Sequence, residues 1–191
     1  MAKNDQEEAY EKALSAALGR TIDMLKFAET KNAALLTFNS AWIVGSVNLL
    51  TTKSPLALGY DWAFTAALPL LGASALVSLC SFVPKLRLRG FFKRPTLNPA
   101  PNLLFFGDMA MIGADRADQA FRSAYEPATD RSATDRYLAD LAVQLAVNGG
   151  IAAQKFALFN RAVWLDVLAM ICLALPALWA MVAGVVGLDA A

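Results

Sequence analysis

The sequence predicts an all-α membrane protein: three transmembrane helices with long cytoplasmic helical extensions, assembled as a homo-oligomer. Three observations carry this. Apolar residues make up 57% of the chain and the mean hydropathy is +0.44, more than an ordinary soluble core needs. Three runs, 31–51, 62–83 and 162–188, are nearly free of charge and long enough to cross about 30 Å of hydrocarbon as helices. The charged residues fall between and before those runs, much of them in stretches with helical periodicity.

Residues 1–30 form the first cytoplasmic element. Leu14, Leu18, Ile22 and Leu25 recur at three-to-four spacing while Glu7, Glu8, Glu11 and Lys12 occupy the early turns, an amphipathic pattern whose acids suit the helix dipole. No proline separates it from the next segment, so one helix running on into the first span and a helix lying on the headgroups both fit. The stretch is charged throughout and lacks the apolar core of a cleavable signal, leaving the first span as the targeting element.

The first span, 31–51, has no charge between Lys31 and Lys53. At about 100° per residue, Thr37, Ser40, Asn48 and Thr51 fall within about 80° of one another, with Asn39 and Ser46 on the opposite side. Such a stripe fits the wall of a water-filled pore or hydrogen-bonding glue between helices, and the residues alone favour glue. It carries no ring of charge that would give strong ion selectivity.

An external loop, 52–61, leads to the second span, 62–83, where Tyr60 and Trp62 suit an interfacial belt and Pro69 predicts a kink. Residues 84–161 form a cytoplasmic helical sensor region. It opens on Lys85, Arg87, Arg89, Lys93 and Arg94, which suit orientation and contact with anionic lipid. A proline-rich linker follows, then a segment helical in its second half, then a turn with Asp130, Ser132 and Thr134 as candidate N-caps. One long helix then runs into the third span, 162–188; Gly149 and Gly150 in its middle suggest close packing or a hinge, and Pro176 a second kink. Asp166 is the ionisable residue inside this span, and a place just within the headgroups, in reach of Arg161 or a neighbour's basic residue, is the simplest reading.

Charge sets the orientation. With the N-terminus cytoplasmic and the C-terminal tail external, Lys53 is the one basic residue of seventeen left outside, as the positive-inside rule requires.

No catalytic constellation is present. There is no histidine, no P-loop, no G-x-S-x-G, and Cys80 and Cys172 both sit in apolar runs. The chain is expected to be no enzyme and to need no cofactor or metal, a hydrolase on Asp108 or Asp140 being the weakest class. Arg122, Arg131, Arg136 and Lys155 project from the soluble elements and are the candidate ligand-binding residues, because guanidinium groups fit phosphate through paired hydrogen bonds. Solvated helix faces are the plain alternative for each.

Three stretches, FAETKNAALLTFNSA, NLLFFGDMA and YLADLAVQLAVNGGIAAQKFALFNRAVWL, occur in the same order and around the same spans as in a known family. Together they resemble the membrane effectors of Pycsar anti-phage systems. The resemblance implies a bacterial inner-membrane protein that impairs the membrane of an infected cell. Its switch would be a nucleotide second messenger or short oligonucleotide made by a partner cyclase or nucleotidyltransferase. The patterned positions fall on Glu29, Lys31, Asn39, Asn102, Phe106, Gly107, Asp108, Asp140, Gln144 and Lys155, without assigned roles. A separate cyclic-nucleotide-binding domain is missing, so residues 84–161, neighbouring copies or a partner protein would have to take the signal. The expected function is therefore a nucleotide-controlled oligomeric pore, with Thr37, Ser40, Asn48 and Thr51 lining it; the alternative is a non-conducting adaptor or anchor that docks a cytoplasmic protein.

Overall fold

The computed structural model describes residues 3–52, 56, 59–83 and 101–186. All regular structure among them is helical: α1 (Lys3–Thr51), α2 (Tyr60–Cys80), α3 (Phe106–Ile112), α4 (Ala114–Tyr125) and α5 (Asp135–Val186). Three of these helices, α1, α2 and α5, are long and apolar enough to cross a membrane. The all-α class with three such helices is the one read from the sequence. The basic cluster at 85–94, the proline linker up to residue 100 and Lys53 lie outside the described residues.

The choice left open for residues 1–30 resolves as continuity, since α1 is one helix of 49 residues. α5 likewise runs 52 residues without a break. Neither Pro69 in α2 nor Pro176 in α5 ends its helix. Of the two readings of the glycine pair, close packing finds no partner among the described residues: a Cβ built at Gly149 or Gly150 meets none of them within 4 Å.

The chain divides into two compact units, one of Met1–Lys26 with Pro84–Ala153 and the other of Phe27–Val83 with Gln154–Ala191. In the first, Leu14 of α1 packs with Ala133, Leu138 and Leu141, flanked by Leu18, Tyr137 and Leu145. A second small core gathers Leu103, Ile112 and Ala124 under Phe121 and Tyr125. Thr134 is the N-cap of α5: its Oγ1 accepts the Tyr137 backbone N–H at 3.1 Å, satisfying a donor that the first turn would otherwise leave free. Helical structure starts earlier than the sequence suggests, at Phe106, and Gly113 then separates α3 from α4. Its φ of 83° lies where an L side chain is strained, which is why glycine stands there.

The second unit is built from α2 and the apolar parts of α1 and α5. Its core is small: Ala67, Leu71 and Ala169, with Ile43, Leu70, Met170 and Leu173 against them. Much apolar surface stays outside, including Leu76, Ile171, Leu175 and Val182, as expected of helices whose outer solvent is lipid or another chain. Trp62, Trp164 and Trp179 are 81%, 69% and 66% exposed, suiting rings that seat at membrane interfaces.

Candidate functional site

Three polar constellations stand out. The first surrounds a cavity of about 380 Å³ in the soluble unit. Asn102 organises its wall. The Asn102 backbone N–H donates to Asp108 Oδ2 at 2.9 Å, its side-chain Oδ1 accepts the Leu104 N–H at 2.9 Å, and its Nδ2 donates to the Asp140 carbonyl at 3.2 Å. Asp140 in turn accepts the Tyr125 hydroxyl at 2.6 Å. Burial, then this bond, holds the Tyr125 phenol well above the ordinary tyrosine range. Asn102 and Asp108, six residues apart, and the more distant Asp140 are thus one hydrogen-bonded group that fixes the loop beside Pro101 and Leu103.

The cavity it borders is lined by Arg116, Gln119, Ser123 and Arg136 on its polar side and by Leu103, Met111 and Ile112 on its apolar side, with no acid in the lining. Arg136 already donates to the Pro101 carbonyl at 3.0 Å and stands 4.0 Å from Asp140. Arg116 has no acidic partner among the described residues. The chemistry of the lining, two guanidinium groups beside an amide, a hydroxyl and apolar carbon, suits an anion carrying a flat apolar body. Arg116 was not among the predicted ligand residues, because in ADRADQAFRS its charge alternates with Asp115 and Asp118 like an ordinary solvated face.

The other predicted ligand residues are committed within the chain. Arg122 pairs with Asp118 at 3.0 Å and Glu126 at 4.0 Å on the α4 surface. Arg131 makes a fork to Glu7, at 2.9 and 3.3 Å, and a second to Asp135, at 2.6 and 3.2 Å, joining the first turns of α1 and α5 in the soluble unit. Of the four, Arg136 alone lines the cavity.

Lys155 belongs to the second constellation, at one end of the membrane unit. Its side chain, 13% exposed, bonds Glu29 at 3.0 Å and the Ser81 carbonyl at 2.8 Å, with its ammonium 5.9 Å from the Phe82 ring centre. α2 has no basic residue in its last turn; Lys155 supplies the cation that its C-terminal carbonyls and dipole favour. Asn32 braces the same corner, donating to the Ala28 carbonyl at 2.8 Å and the Lys155 carbonyl at 3.4 Å. Lys31 lies over the rings of Phe27 and Phe159. Glu29, Lys31 and Lys155 therefore tie three helices together.

The third lies in the apolar segments. Thr37, Ser40, Asn48 and Thr51 are all exposed on α1, away from the buried Asn32, Asn39 and Ser46. The hydroxyls of Thr37, Ser40 and Thr51 donate to the carbonyls of Ala33, Leu36 and Val47, at 3.1, 2.8 and 2.9 Å. The Asn48 amide has no partner among the described residues. On the buried side Asn39 donates to Ser74 at 2.9 Å, and Ser74 to the Ala162 carbonyl at 3.0 Å. Asp166 stands beside both Asn39 and Ser74. Asp166 is buried within the helices and makes no ion pair with Arg161, which is exposed, so the pairing expected within the chain is not formed.

The family model of the Pycsar effector protein domain matches residues 13–184. The Pycsar effector protein RsPycTM of a Rhizobium species is 46% identical over 149 residues, covering 78% of this chain and 83% of the relative. No solved structure matches. With so much of its length matched and three helices able to span a bilayer, the chain belongs to the Pycsar effector family, as a transmembrane effector of anti-phage defence.

Proposed function

We propose that this effector is a nucleotide-controlled homo-oligomer of the bacterial inner membrane, cytoplasmic at its N-terminus, whose copies meet through the exposed polar face of α1 and open a water-filled path there. The observation that carries the reading is that face. Thr37, Ser40, Asn48 and Thr51 are turned away from the chain's own core along a segment apolar enough to cross a membrane. Hydroxyls bonded to their own helix tolerate lipid at modest cost, but an unpartnered amide does not. A second copy or water satisfies it.

The signal would bind the cavity of the soluble unit, with Arg116 and Arg136 on phosphate and Leu103, Met111 and Ile112 against the base. Binding shifts the assembly only if the open arrangement holds the ligand better. The positions named by the family resemblance support this division: Asn102, Asp108 and Asp140 shape the cavity wall, whereas Glu29, Lys31 and Lys155 fasten the membrane helices.

Liposomes carrying the full chain and a trapped dye test both halves. The nucleotide product of the partner cyclase should release dye from wild type. Ser40→Leu with Asn48→Leu should insert normally and release none. Arg116→Ala or Arg136→Ala should weaken the response to nucleotide by about ten- to a hundredfold, the worth of one charge-assisted hydrogen bond. Signal-bound wild-type liposomes that stay sealed would instead support the adaptor reading.

A further inference from the structure

The Asn39–Ser74–Asp166 cluster takes no part in the reading above, and its hydrogen bonds do not balance. Asn39 and Ser74 are fully buried and Asp166 is 5% exposed. Ser74 has one proton and spends it on the Ala162 carbonyl; Asn39 Nδ2 donates to Ser74. Left over are the second Nδ2 proton of Asn39 and three acceptors, Oδ1 of Asn39 and both carboxyl oxygens of Asp166, none of which receives a hydrogen bond of acceptable geometry although the Ser74 and Asn39 side chains stand beside the carboxyl. A bare carboxylate without a donor is very costly inside packed apolar helices.

One positive charge would neutralise the buried carboxylate. A hard metal cation takes about six oxygens, and two side chains here leave three. A proton needs one oxygen to carry it and one to accept. We propose that Asp166 is a proton-binding site: in this packing it holds one proton, taken from water, and as a neutral acid donates it to Oδ1 of Asn39. Among the described residues no other charge competes. On α1 the nearest charged residues, Glu29 and Lys31, are engaged with Lys155 and with the Phe27 and Phe159 rings. On α2, Asp61 lies thirteen residues from Ser74, about 20 Å along the helix. Asp61 and, on α5, Arg161 are both exposed. The site is complete within one chain and does not depend on the pore reading. Its consequence is directional: the packing described here takes up a proton, and any rearrangement that admits water to Asp166 releases one.

Infrared difference spectroscopy of the full chain in liposomes, between neutral and alkaline pH, tests this. Wild type should show the carbonyl stretch of a protonated carboxylic acid at neutral pH. Asp166→Asn, which keeps the shape and remains neutral, should lack it with unchanged helical circular dichroism, and Asn39→Leu should shift its frequency. Isotope labelling of aspartate carboxyls in wild type assigns the band even if a variant fails to fold. No such band at neutral pH, its survival in Asp166→Asn, or stabilisation of wild type but not Asp166→Asn by sodium ions would overturn the proposal.

Discussion

Lys155 shows how far a single side chain's role depends on what folding brings to it. Read along the sequence it is one basic residue on a helix face, as suited to phosphate as any other. Folded, it sits between Glu29 and the Ser81 carbonyl, and its charge completes the end of α2. Arg131 shares that fate, chelated by Glu7 and Asp135. Local sequence could not reveal this, because Glu7 and Arg131 are 124 residues apart. The pairing of Asn39 with Ser74 was equally hidden, although its position opposite the Thr37 stripe was legible from helical periodicity. Tyr125 offers a test at this scale. Burial and the bond to Asp140 favour its neutral form in the fold, while in the unfolded chain it ionises near pH 10, about the ordinary tyrosine value. Its contribution is therefore full below that pH and declines as pH rises above it. Denaturation of the full chain in detergent should show stability falling at alkaline pH, with a shallower fall in Tyr125→Phe. An identical slope in the two proteins would show that Tyr125 is not held neutral.

At the scale of the element, the helices were the most legible part of the molecule. The apolar runs and Thr134 ahead of a periodic stretch were sufficient for α5 and for the two halves of α1, whose continuity the absence of proline between residues 3 and 51 allowed but did not decide. The break at Gly113 is not legible, since it rests on a positive φ that the surrounding residues do not announce. The glycine pair of α5 stands out in the sequence, but the described residues give it no packing partner. Nothing stands within 4 Å of a Cβ at either position, and alanine is favoured over glycine in a helix interior by about 0.5–1 kcal/mol. Gly149→Ala and Gly150→Ala should each raise the thermal midpoint of the detergent-solubilised monomer. If either lowers it in the assembled protein while raising it in the monomer, another copy packs against that glycine. Lowering in the monomer would contradict the open space seen here.

For the whole molecule, α1 and α5 each supply residues to the soluble and the membrane unit. Unbroken helix backbone joins the two, a covalent route by which the proposed nucleotide binding in one would reach the other. The sequence made the class and the three apolar helices plain, and the ordered stretches pointed to the right family. The cavity was beyond reach, because it is assembled from the loop at Pro101, the end of α3, the length of α4 and the start of α5, segments that only the fold brings together. The claim on which the function depends is that the Ser40 face of α1 meets water when the signal is bound. Thiol accessibility reads it directly. In a background of Cys80→Ser and Cys172→Ser, Ser40→Cys in liposomes should react with a membrane-impermeant thiol reagent when nucleotide is present and stay unreacted without it. Leu168→Cys, on the outward apolar surface of α5, should not react in either state. Ser40→Cys that remains protected while nucleotide makes the liposomes leak would contradict the account, because the water path would then run elsewhere.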